Sequence, residues 1–178
     1  MATMPEKTTA YKKTAGNYIA ALLIITAGVI LDQWSKHMAV LHLRGTGGTD
    51  LIPGIFRLTY LENRGAAFGV LQGQQWFFYI ITAVILVAVL LVYTRIPAGR
   101  KFVPLRVCAV FIVSGALGNL IDRVRLGYVV DFFYFELIDF PVFNVADIFV
   151  TLSAVLLAVL LLLYYKEEDL EYIFHSRK

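Results

Sequence analysis

Four long apolar blocks, each bounded by charged or amide residues, set the pattern of this chain. The first is free of charge from Thr14 to Leu31, and the second runs from Trp76 to Thr94. The third covers Phe102 to Ile121, with Pro104 and Arg106 near its start, and the fourth covers Ile148 to Tyr165, directly after Asp147. A helix advances about 1.5 Å per residue, so about 20 apolar residues cross a hydrocarbon layer of about 30 Å. The pattern therefore predicts four transmembrane helices at about 15–35, 76–94, 102–121 and 146–165.

Residues 37–75 break the pattern. Gly45-Thr-Gly-Gly reads as a turn, and Ile55 to Leu61 alternates imperfectly with β-branched and aromatic residues, which suggests a short strand. Asn63-Arg-Gly-Ala-Ala-Phe-Gly then supplies small residues where backbone must bend or approach something closely. The expectation is a sheet-like platform over about 40–72, lying on the outer membrane surface.

Composition agrees with lipid as the solvent. The 178 residues suit one domain, 1–178, and are 59% hydrophobic against 16% charged, where soluble domains carry about 25% charged residues. Lys7, Lys12 and Lys13 precede the first block as in a signal peptide. That block leads into Asp32-Gln-Trp-Ser-Lys rather than a small-x-small cleavage site, so an uncleaved helix is expected. Basic residues in the N-terminal segment, the 95–106 link and the C-terminal tail outnumber those on the other side, which places both termini in the cytoplasm. Residues 37–75 and 122–143 then face outside. The net charge of +3 does not indicate nucleic acid, because the basic residues flank apolar blocks rather than forming a stripe with aromatics. Cys108 is the only cysteine, and His37, His42 and His175 have no metal-ligand spacing, so neither metal nor cofactor is expected.

Ionisable groups at the edge of hydrocarbon are costly and mark a site by default. Asp32 and Lys36 end the first span; Asn119, Asp122 and Arg123 end the third; Asp131 lies in the loop beyond; Asn144 and Asp147 open the fourth. All fall on one side of the membrane. Each also has a plainer reading. Asp32 and Lys36 are spaced for an i, i+4 ion pair, and Asn144 with Asp147 suits a helix N-cap. Asn119 and Asp122 share a face, and Arg123 could hold a carboxylate elsewhere. Asp131 is harder to explain away. It sits in Gly127-Tyr-Val-Val-Asp-Phe-Phe-Tyr-Phe with no basic neighbour, so it must bind something or carry a proton at a raised pKa. Two carboxylates in such surroundings suit aspartic-protease chemistry, in which the pair shares one proton. Serine chemistry fits worse: Ser35 and Lys36 are adjacent, so their side chains diverge on a helix, and Ser114 and Ser153 have no ionisable partner at helical spacing. The competing class is a small membrane transporter or proton-site protein using intramembrane aspartates; clustering at one face, with no inverted repeat, weighs against it.

Five motifs occur in order: Asp32-Gln-Trp-Ser-Lys36, Asn63-Arg-Gly-Ala-Ala-Phe68, Gly115-Ala-Leu-Gly-Asn-Leu-Ile-Asp-Arg123, Gly127-Tyr-Val-Val-Asp-Phe132 and Phe143-Asn-Val-Ala-Asp147. With them the chain resembles the lipoprotein signal peptidase (signal peptidase II) family along nearly its whole length. The resemblance implies four transmembrane helices with an extracytoplasmic β-cradle and a short outer helix. It implies Asp131 and Asp147 as a catalytic dyad, with Asp32, Lys36, Asn63, Gly65, Asn119, Asp122, Arg123 and Asn144 supporting the site or binding substrate. The implied substrate is a prolipoprotein whose cysteine carries diacylglycerol, cut on the N-terminal side of that cysteine, with inhibition by globomycin-type compounds. A monomer acting within membrane lipid is expected.

Overall fold

A computed structural model of the protein describes residues 13–65, 71 and 73–175. Each apolar block is helical: α1 is Ala15–Leu43, α2 Gln75–Arg95, α3 Val103–Leu126 and α4 Val145–Val159, the last continuing into a π-helical turn at Leu160–Tyr164. Among the described residues, four helices are long and apolar enough to cross a membrane. Their outward side chains are apolar, with Leu162 and Leu163 80% and 82% exposed, which only lipid tolerates over so many positions. A short helix, α5 (Glu167–His175), follows α4 and was not anticipated from the apolar pattern. Of the basic residues used to orient the chain, Lys7, Lys12, Arg177 and Lys178 lie outside the described residues.

The helix ends follow local chemistry. Pro104 stands in the first turn of α3, where its missing N–H leaves no bond unmade. Gly127 ends that helix at φ 77°, a left-handed conformation suited to glycine, and its N–H returns to the Arg123 carbonyl. α1 runs eight residues beyond its expected end near residue 35. The charges expected to stop it, Asp32 and Lys36, are buried against partners on other elements, so the helix continues to Leu43.

α3 is central and packs against α1, α2 and α4. Small residues make this possible. A Cβ on Gly115 would collide with the Ala146 carbonyl, and one on Gly118 would lie 2.5 Å from Asp32 Oδ2. Close backbone approach of this kind is the usual basis of helix association in lipid.

The expected platform is an antiparallel sheet of β1 (Thr49–Ile52), β2 (Phe56–Asn63) and β3 (Val129–Tyr134), in that order. β3 comes from the segment between α3 and α4, where the sequence pattern predicts no strand. Val129 to Phe132 are buried in succession, so the run lacks the alternation that betrays a half-exposed strand. A bulge between Leu58 and Leu61 adjusts the β2–β3 register, leaving Leu61 opposite Asp131 and Asn63 opposite Val129. The short outer helix corresponds, among the described residues, only to a 3₁₀ turn at Glu136–Ile138. Residues 66–70 and 72 of the expected platform, including Ala66 and Phe68 of the second motif, lie outside the described residues.

Two apolar clusters result. One lies where α5 meets the spans, around Ile96, Phe102, Cys108 and Ile173; the other joins α1 to the sheet through Ala39, Leu43, Val130 and Phe132. A buried polar layer containing Asp32, Lys36, Asp122, Asp131 and Asn144 adjoins the second.

Candidate active site

Lys36 organises the first half of that layer. Its ammonium has three N–H donors and three acceptors: Asp32 Oδ2 at 2.9 Å, Asp122 Oδ2 at 3.1 Å and Asn119 Oδ1 at 2.8 Å. The i, i+4 pair read from the sequence is therefore present, but as part of a buried triad that ties α1 to α3. Each carboxylate also fastens backbone. Asp32 Oδ1 accepts from the Ala146 N–H at 2.9 Å, one of the unpaired donors in the first turn of α4. Asp122 Oδ2 accepts from the Val130 N–H at 3.0 Å, docking β3. Gln33 completes the knot, its amide donating to Asp122 Oδ1 at 2.8 Å and to the Gly118 carbonyl at 3.2 Å. Gln33 was not singled out from the sequence. Its signal was an amide beside Asp32 at the end of an apolar block.

Asn119 carries this order to the second half. With its oxygen committed to Lys36, its Nδ2 donates to Asp147 Oδ1 at 2.8 Å. Asp147 and Asn144 form the anticipated cap: Asp147 N–H donates to Asn144 Oδ1 at 3.0 Å, and Asn144 N–H donates to Asp147 Oδ2 at 3.1 Å. Capping and a place in the polar cluster are thus one arrangement. Asn144 also reaches across to β3, where its Nδ2 donates to Asp131 Oδ1 at 2.6 Å. The other oxygen of Asp131 accepts from Asn63 Nδ2 at 2.8 Å, a diagonal contact across the β2–β3 pair. Asn63 is held in turn by the Gly65 N–H on its Oδ1 at 3.0 Å.

Asp131 is 1% exposed, and burial pushes its carboxyl up to about 7, helped by the charge of Asp147 and opposed by the Asn63 and Asn144 amides. The raised pKa expected of a carboxylate among aromatics is present. Locally, four carboxylates (Asp32, Asp122, Asp131, Asp147) face two cations, Lys36 and Arg123, so binding a proton eases the imbalance. Arg123 forms no ion pair among the described residues. Its guanidinium lies 4.4 Å from the Phe78 ring centroid and makes only long contacts, 3.5 Å, to the Asn119 and Gly65 carbonyls.

Asp131, Asp147, Asn63, Gly65 and Arg123 all line one cavity of about 590 Å³, together with apolar residues that include Phe143, Ile148 and Leu152. Its lining mixes these polar groups with apolar side chains, and α4 supplies both kinds in Asp147, Ile148 and Leu152. The ten residues singled out from the sequence thus converge: five on the cavity and Asp32, Lys36, Asn119, Asp122 and Asn144 in the network behind it. The serines do not join them. Ser35 and Ser114 donate to carbonyls of their own helices, those of Asp32 and Val110.

Four apolar spans around a polar cluster that opens into a partly apolar cavity define a multi-pass membrane enzyme. The profile of the family described as Signal peptidase (SPase) II matches residues 24–163. The chain belongs to that family. It is 43% identical over 151 residues to the lipoprotein signal peptidase of Streptococcus thermophilus strain CNRZ 1066, covering 85% of this chain and 95% of the relative. It is 41% identical over 152 residues to that of Streptococcus pyogenes serotype M5 strain Manfredo, with the same coverage. Two solved bacterial membrane enzymes, obtained by the in meso method at 2.3 and 1.9 Å, share the fold at TM-scores of 0.75 and 0.72 and 33% identity. The alignments cover 89% and 88% of this chain, and 97% and 99% of those chains.

Proposed function

We propose that the protein is an aspartic endopeptidase that removes signal peptides from diacylglyceryl-modified prolipoproteins, with Asp131 and Asp147 as the catalytic pair. The carrying observation is that both carboxylates are bonded to Asn144 and open into one cavity beside membrane-spanning helices. The pair shares one proton. The ionised carboxylate takes a proton from water as its oxygen attacks the scissile carbonyl, and the protonated one gives its proton to the carbonyl oxygen. Breakdown of the tetrahedral intermediate returns a proton to the leaving amine. Arg123, with only long backbone contacts, supplies a charged donor toward substrate. Asn63, Asn119 and Asn144 orient the carboxylates; Asp32, Lys36 and Asp122 hold the elements that carry them; Gly65 steadies Asn63 through its N–H.

A signal peptide is an apolar helix, and its lipidated cysteine stays at the membrane surface. A site at the end of α3 and the start of α4, packed against α1, meets that depth, and apolar lining residues such as Phe143, Ile148 and Leu152 suit a lipid-bearing residue. The excess of basic residues at the opposite ends of the spans supports cytoplasmic termini and an outward-facing site. The enzyme acts as a monomer in membrane lipid, cuts on the N-terminal side of the modified cysteine, and is inhibited by globomycin-type compounds. The test is cleavage by purified enzyme of one preprolipoprotein with and without its diacylglyceryl group. Only the modified form is cut, at the bond preceding the cysteine; efficient cleavage of the unmodified precursor would refute the assignment.

The raised pKa of Asp131 sets a pH dependence. Turnover requires that the pair keep a proton, so kcat/KM declines as pH rises through about 7. The Asn63 amide favours the ionised form of Asp131, so Asn63→Ala moves that alkaline limb to higher pH while lowering the maximum rate. An alkaline limb unmoved in Asn63→Ala would show that Asp131 does not control it.

A further inference from the structure

At the end of the bundle away from the carboxylates, two cations have no counterion among the described residues. Lys13 precedes Thr14, the N-cap residue of α1. Its ammonium is buried without a hydrogen-bond acceptor among the described residues. It lies 4.1 Å from the Tyr93 ring centroid and 5.6 Å from that of Tyr18, so aromatic faces are its nearest electron-rich groups. The second cation is Arg106 of α3, which donates to the uncharged carbonyls of Pro97 and Gly99. Neither residue forms an ion pair with a carboxylate among the described residues. Burial, and then the charge of Arg106, hold the Lys13 ammonium down to about 8 from its ordinary 10.5. An anion between them would relieve both effects.

Two recesses share Ala21, Tyr93 and Val110 in their walls; Arg106 lines one, and the Tyr18 and Tyr93 rings next to Lys13 line the other. One, of about 200 Å³, contains Arg106 and Asn17. The other, of about 290 Å³, runs between α1, α2 and α3 and is walled by Leu22, Ile25, Leu86 and Leu90. Leu22 and Leu90 are 63% and 60% exposed, so this groove opens toward lipid. A recess containing Arg106 and an apolar groove thus stand side by side, with Ala21, Tyr93 and Val110 as their common wall.

We propose that this is a binding site for an anionic glycerophospholipid, with its phosphate between Lys13 and Arg106 and one acyl chain along Leu22, Ile25, Leu86 and Leu90. The cations alone would accept any phosphate; the groove selects one that carries a hydrocarbon chain. A choline headgroup brings its own cation to a place that already holds two, so a net negative headgroup is preferred. The site is separate from the carboxylate pair and does not depend on the peptidase reading.

The test is native mass spectrometry of the full-length protein in neutral detergent, titrated with dioleoyl-phosphatidylglycerol, dioleoyl-phosphatidylcholine and glycerol 3-phosphate. Lys13→Gln removes one cation, and Leu90→Trp blocks the groove from an exposed position on α2. Phosphatidylglycerol binds more tightly than phosphatidylcholine, Lys13→Gln weakens it about fivefold, as expected for one basic residue near an anionic headgroup, and Leu90→Trp weakens it further. Equal affinity for the two lipids, or phosphatidylglycerol binding unchanged in both variants, would overturn the proposal. Glycerol 3-phosphate binding as tightly as phosphatidylglycerol would overturn the lipid assignment in favour of a free-phosphate site.

Discussion

Asp131→Asn and Asp147→Asn each lower turnover of lipidated substrate by at least about 10³-fold, because acid and base act as one unit and either loss disables both. The protein still folds. At Asp131 both oxygens accept from amide nitrogens, of Asn63 and Asn144, so an introduced NH₂ group faces at least one donor. At Asp147 the Asn119 amide and the Asn144 N–H impose the same conflict. Each mismatch costs about 1–3 kcal/mol. For Asp131 a gain opposes it. The folded-state pKa of about 7 stands above the ordinary 3.8, so the folded protein keeps a proton that the unfolded chain loses between those values. Stability therefore falls as pH rises across that window and levels off above it. Asp131→Asn removes this slope. The measurements are cleavage by purified variants and thermal unfolding in detergent at pH 5 and pH 8. A folded Asp131→Asn or Asp147→Asn enzyme with near-normal turnover would exclude the carboxylate pair as the catalytic unit.

Lys36→Met gives the largest expected loss of stability. Asp32 and Asp122 are 0% and 4% exposed at their side chains and would be left buried without their cation. Breaking a buried pair in this way costs about 3–5 kcal/mol, a fall in Tm on the order of 10 °C for a domain of this size. Turnover falls as well in whatever protein folds, because Asn119 Oδ1 loses its 2.8 Å contact to Lys36 and keeps only the 3.2 Å contact from Asn144 to turn its NH₂ toward Asp147. Adding Asp32→Asn to Lys36→Met removes one stranded charge and recovers part of the stability. The comparison is Arg44→Ala, which breaks an exposed pair with Glu62 at 3.4 Å and costs less than about 1 kcal/mol. Equal losses from Lys36→Met and Arg44→Ala would show that the triad is solvated rather than buried.

Much of the site was legible because lipid makes polar residues conspicuous. A carboxylate or amide at the end of a charge-free block has few innocent explanations, and Asp32, Lys36, Asn119, Asp122, Asn144 and Asp147 stood out on that ground alone. Asp131 stood out for lacking any basic neighbour. The resemblance added the pairing of Asp131 with Asp147 and brought in Asn63 and Gly65, which no local pattern marks as chemical. Gln33 escaped notice because its importance lies in contacts with Asp122 and Gly118, more than eighty positions away.

By itself the sequence determined the four spans and the polar residues that end them, since crossing hydrocarbon needs a minimum apolar length and burying charge demands a reason. It also determined the capping of α4, which depends only on residues three apart. The tertiary structure decided that α1 continues past Lys36, because neutralising that lysine requires Asp122 and Asn119 from α3. It decided that residues 129–134 form the third strand, because their burial on both faces erases the alternating pattern. It also decided that one asparagine, Asn144, bonds both carboxylates, one on β3 and one on α4. Such links join residues that no local period relates, so only packing of the helices and sheet could bring them within hydrogen-bond reach.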